Sequence, residues 1–141
     1  ALVSTFVVSP LPRTLRFAPL TTFAHLQIPD WALTFWLLSP YSTREWVKAV
    51  HDAMATLDSR VIASRIRIAL ATDERASLAR TRMPLIDIRA TRDRLVWKRQ
   101  RPRILAARPD AQLADMDGPH GLLLTRPVEV WGVLQVQCAR A

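Results

Sequence analysis

Residues 83–124 read MPLIDIRATRDRLVWKRQRPRILAARPDAQLADMDGPHGLLL. Leu85, Ile86 and Ile88 mark a short apolar strand over residues 84–89, and residues 112–116 mark another. Each strand runs into a polar turn. The first turn, ATRDRLV, carries Asp93, and the second, DGPHGLLL, carries His120. Residues 97–107 between them read as a helix, and residues 127–139 as a further one. Strand, turn, helix, strand, turn, helix is the alternation that builds a parallel sheet with right-handed crossovers. An acid and a histidine at the ends of neighbouring strands are two members of a nucleophile–base–orienter triad.

Upstream, residues 2–8 (LVSTFVV) form a continuous apolar run with β-branched members, closed by Ser9 and Pro10. Strands buried on both faces of a parallel sheet read this way. Pro10, Pro12, Pro19 and Pro29 then interrupt residues 9–29, because the residue before each proline is pushed out of the helical region. Phe17, Leu20, Phe23, Leu26 and Ile28 still give that stretch apolar weight. Residues 30–38 (DWALTFWLL) suggest a short helix with Asp30 as N-cap. Trp31, Phe35 and Leu38 share one of its faces, with Trp36 beside them. Residues 42–57 are the best helix: Ser42 and Glu45 have capping-box spacing, and Trp46, Val47, Val50, Met54 and Leu57 recur at helical intervals. His51 lies on the flank of that stripe, as a surface or half-buried histidine rather than a catalytic one. Asp58 or Ser59 caps a helix over residues 60–71, and a short helix follows to Arg80. The chain therefore divides into a sheet portion (1–8 and 83–141) and a mostly helical insertion (9–82). The fold class is α/β, three parallel strands with flanking helices.

The 141 residues amount to one domain, and half of them are hydrophobic. No apolar run approaches the roughly 18 residues that cross a bilayer. Residues 1–8 lack the basic start of a signal peptide. Cys138, the single cysteine, has no internal disulfide partner and reads as a buried structural thiol. The thiol content fits a reducing compartment, so a cytoplasmic location is the expectation. The net charge of +8 invites a nucleic-acid reading. Against it, Lys48 and Lys98 are the only lysines, and the arginines are scattered from Arg13 to Arg140. The densest basic run, residues 98–103, has Trp97 beside it but no series of aromatics for stacking bases. A solvated helix start is the simpler reading, and no nucleic-acid partner is expected.

MPLIDIRATRDRLV followed by PDAQLADMDGPHGLLLTRPVEV resembles the C-terminal part of an α/β-hydrolase, more narrowly the small carboxylesterase branch with a helical lid. The resemblance implies that Asp93 is the triad acid and His120 the general base. It likens residues 2–8 to the strand that follows the nucleophile's helix, and residues 9–82 to the lid. In this family the nucleophile precedes the acid and the histidine. That order places the serine ahead of Ala1. No G-x-S-x-G occurs; the glycines are Gly118, Gly121 and Gly132. Ser4 and Ser9 flank the first strand without a glycine elbow. The oxyanion-hole donors of the family likewise fall outside these residues.

The implied activity is that of a serine esterase acting on small apolar acyl esters, to which this chain supplies acid, base and lid. No cofactor and no metal is implied. A rival reading is a non-catalytic remnant that binds ligands through the lid's aromatic pocket. Trp31, Phe35, Trp36 and Trp46 read either as the lid's own core or as the wall of an acyl pocket, and so does Leu122 beside His120. The strand over residues 2–8 would have an open edge from Leu2 to Val8, suited to the nucleophile-bearing half or a second chain. Asp87 and Asp115 fall within strands, where a carboxylate without a partner is costly. Gly132 and Val128, Val130, Val133 and Val136 weaken the last helix.

Overall fold

The computed structural model describes residues 1–10, 14, 28–96 and 98–139. The readings placed on Pro12, Phe17, Pro19, Leu20, Phe23, Leu26 and Trp97 lie outside these residues, as does that on the Cys138 side chain.

Strand β2 (Ile86–Ala90) is the centre of the sheet, flanked by β1 (Leu2–Val3) and β3 (Gln112–Met116). Both pairings are parallel, with Leu2 opposite Asp87, Val3 opposite Ile88, and Ile86 to Ala90 opposite Gln112 to Met116. Alternation along β2 sends Ile86, Ile88 and Ala90 to one face and Asp87 and Arg89 to the other. The apolar face packs with Leu122 and Val130, and with the partly buried Val133 and Leu134. Those residues come from α6 (Leu122–Thr125) and α7 (Pro127–Cys138). On the opposite face α5 (Gln100–Ala107) brings Ile104 against Val7, Leu85 and Ala111.

The helical segment between β1 and β2 starts with α1 (Asp30–Leu33), which continues as a π-helical stretch, Thr34–Leu38. Then come α2 (Arg44–Ala55), α3 (Ser59–Ala71) and α4 (Arg75–Arg80). Leu33, Leu38 and Val47 form its buried centre. Among the described residues no helix is long and apolar enough to cross a membrane.

Four local expectations are corrected. The first strand spans two residues, not seven. Ser4 adopts φ 43°, a left-handed conformation that ends the strand. Val7 stays in the core nonetheless, and Val8 forms an antiparallel bridge to Asp73. Second, Asp30 lies inside the first turn of α1, with Pro29 at the N-cap, and its carboxylate meets His51 Nε2 at 2.8 Å. Third, α2 is capped by Thr43, whose Oγ1 accepts from Trp46 N at 3.2 Å; Ser42 pairs instead with Thr34 Oγ1 at 3.1 Å. Asp58 does cap α3, accepting from Arg60 N at 2.7 Å.

Fourth, the basic run over residues 98–103 is not uniformly solvated. Gln100 is buried, and its amide donates to Val8 O at 2.8 Å and accepts from Val8 N at 3.4 Å. Arg101 crosses the polar face of the sheet, where its Nε donates to Asp87 at 2.8 Å and its Nη1 to Asp115. Asp87, alone by sequence, thus has its counter-charge. Asp115 also holds Arg89 at 2.8 Å.

Candidate active site

The two polar turns lie side by side because the register of β2 and β3 carries on into them. Thr91 N donates to Met116 O at 2.9 Å, and Arg92 N to Gly118 O at 3.0 Å. Asp93 folds back on its own turn. Its Oδ1 accepts from Leu95 N at 2.8 Å and from Val96 N at 2.7 Å. Its Oδ2 lies 2.9 Å from His120 Nδ1. The Asp93 side chain is 3% exposed and that of His120 24%. An ionised Asp93 accepts the Nδ1 proton, and this leaves the Nε2 lone pair of a neutral imidazole available as a base.

The histidine turn is shaped from beneath and beside. A Cβ on Gly118 would come within 2.5 Å of Leu122 Cδ1, and Leu122 is fully buried in the sheet core. A side chain at position 118 would require the buried Leu122 methyl to shift. Gly121 N donates to Leu37 O at 2.9 Å, tying the turn to the helical segment.

Asp117 joins the same three elements. It accepts from Arg92 Nε at 2.6 Å, from Thr91 Oγ1 at 3.2 Å, and from the Tyr41 hydroxyl. The Arg92 guanidinium, then Tyr41, hold its carboxyl down at about 2. Arg126 stacks over the Tyr41 ring, 4.8 Å from its centroid. The sequence reading passed over Asp117, Arg92 and Tyr41. Asp117 and Arg92 were findable as charged neighbours of His120 and Asp93 in their turns. Tyr41, from a distant segment, carried no such signal.

Phe35 and Trp36 meet edge to face, with ring centroids 5.1 Å apart. Together with Asp93, Arg94, Lys98 and Arg99 they line an open cavity of about 640 Å³. Trp31 and Trp46 do not line it: Trp31 is 70% exposed, and Trp46 packs with Leu33, Leu38 and Val47. Ser4 Oγ is buried beside a small cavity that Asp93 also lines. Burial withholds that hydroxyl from a substrate. Among the described residues no group of three His, Cys, Asp or Glu side chains is gathered to hold a metal ion.

No protein-family model matches the sequence, and no curated protein matches it either. Solved structures do match the fold. A hydrolase from Pseudomonas aeruginosa PA01 superposes with a TM-score of 0.80 at 16% identity, over 97% of this chain and 54% of that one. The enol-lactonase from Burkholderia xenovorans LB400 gives 0.73 at 19% identity, over 97% and 54%. Rv0554 from Mycobacterium tuberculosis gives 0.76 at 15% identity, over 99% and 56%. The chain thus spans about half the length of the structures it matches. The likeness is one of fold, and the chain has a partial α/β-hydrolase fold, three parallel strands with flanking helices.

Proposed function

We propose that this chain is the acid- and histidine-bearing part of a serine hydrolase that cleaves carboxylic esters. The observation that carries the reading is the 2.9 Å contact between His120 Nδ1 and a buried Asp93 carboxylate. His120 Nε2 takes the proton of an attacking serine hydroxyl and returns it to the leaving alcohol. Asp93, held by two backbone N–H groups, fixes the imidazole tautomer and stabilises the imidazolium. The serine and the oxyanion hole come from a segment that pairs along the outer edge of β1, in keeping with a chain order of nucleophile, acid, histidine. The insertion over residues 9–82 serves as the lid, and Phe35 and Trp36 face the apolar part of the ester.

The test is hydrolysis of p-nitrophenyl acetate, with phosphonate labelling of the serine, by this chain joined to its nucleophile-bearing half. Asp93→Asn is expected to lower kcat about 10,000-fold while the fold is retained. His120→Ala is expected to do at least as much. Hydrolysis that survives His120→Ala would remove the proposal.

A further inference from the structure

The open cavity beside the dyad is lined by aromatic and cationic side chains together. Phe35 and Trp36 supply the aromatic surface, Arg94, Lys98 and Arg99 the cations, and Asp93 also lines it. The Arg94 guanidinium lies 4.2 Å above the Phe35 ring centroid. Stacking of this kind steadies the planar fork; its Nη1 reaches the Phe35 carbonyl oxygen at 3.5 Å, and the other edge N–H groups can donate elsewhere. Arg94 and Lys98 have no carboxylate partner among the described residues. Their neighbour Asp93 makes no ion pair with either. Its oxygens are committed to Leu95 N, Val96 N and His120, and its side chain is nearly inaccessible. Cations gathered beside aromatic rings in one open site attract an anion. The volume, about 640 Å³, suits a small organic molecule.

We propose that this cavity binds a carboxylate-bearing substrate, an ester or lactone whose anionic end pairs with Arg94 and Lys98 while its apolar body lies against Phe35 and Trp36. The proposal rests on the hydrolase reading for the reaction, but not for the binding. A carboxylate accepts two donors from a guanidinium in one plane, which a neutral ester group does not match. An apolar acyl ester would leave both cations without a counter-charge.

Binding is measurable on the 141-residue chain itself, without a nucleophile. The probes are 4-phenylbutyrate and its neutral isostere 4-phenylbutyramide, titrated at pH 7 by calorimetry and by tryptophan fluorescence. The carboxylate is expected to bind about tenfold tighter, the ratio expected from one charged hydrogen bond. That preference should shrink as salt rises. Arg94→Gln and Lys98→Gln should each reduce the acid-over-amide preference, with circular dichroism confirming the fold. Equal binding of acid and amide, or no binding of either, overturns the proposal. The hydrolase reading stands or falls separately, on ester turnover by the joined halves.

Discussion

At the residue scale, Asp117 shows how a side chain outside the dyad can set its geometry. It sits three positions before His120 and is bonded to the residue next to Asp93 and to Tyr41 of the helical segment. Its folded carboxyl titrates near 2, below the ordinary carboxylate value near 4, chiefly because of Arg92. A carboxyl whose folded pKa is depressed contributes stability above its unfolded pKa. That contribution is lost as pH falls through the window from about 4 to about 2. Asp117→Asn removes the titration, so the stability gap between wild type and variant should be full at pH 6 and should close as pH approaches 2. Denaturant unfolding of both proteins across this range is the check. A gap that does not change with pH would mean that Asp117 contributes nothing through its charge. Asp93 and His120 were legible in the sequence because a strand-end turn is a local pattern. The Asp117–Tyr41 contact was not, since it joins segments far apart in the chain and depends on the completed fold.

At the scale of elements, the sequence located β2, β3 and α7 to within a residue or two, and α5 began three residues later than read. Those elements have turn residues at their ends and alternation or helical spacing between them. The first strand was misread because an apolar run shows burial and not backbone direction. Val7 is buried in the core without being in a strand, beyond the left-handed Ser4. The π-helical stretch after α1 was equally invisible, since the same apolar spacing suits either helix. Arg101 explains the strand carboxylates that the sequence left without partners. Its guanidinium donates to Asp87, to Asp115 and to the carbonyl of Ala114, fastening α5 across β2 and β3. The Asp87 and Arg101 side chains are 6% and 13% exposed, so removing Arg101 leaves the Asp87 carboxylate buried without its counter-charge. Arg101→Ala should cost about 3 kcal/mol of unfolding free energy. The double variant Asp87→Leu, Arg101→Met should recover most of that loss, because apolar packing replaces a buried pair with little net change. Chemical denaturation measures both. If the double variant is no more stable than Arg101→Ala, the pair is not the source of the effect.

At the scale of the whole molecule, the sheet ends on an unfinished edge. Ser4 N donates to Ile88 O at 2.9 Å, so Leu2 and Ser4 direct their backbone groups to β2. In a parallel strand alternate residues serve opposite neighbours, which leaves the Val3 N–H and C=O facing outward. No strand pairs there among the described residues. An unpaired strand edge is a template for another chain. The outer face of α7 is a second apolar surface, with Val128, Trp131 and Val136 all more than half exposed. The two surfaces make different demands on an associating partner, because backbone pairing needs a donor at Val3 and side-chain packing needs Trp131. Sedimentation of the chain alone should show a mass that rises with concentration. Val3→Pro removes the outward donor while Leu2 and Ser4 keep their bonds to β2, and it should return the chain toward monomer. Trp131→Glu should leave the association largely intact. The opposite pattern would assign the interface to α7, and a monodisperse monomer at high concentration would mean that the β1 edge is not used by a second copy.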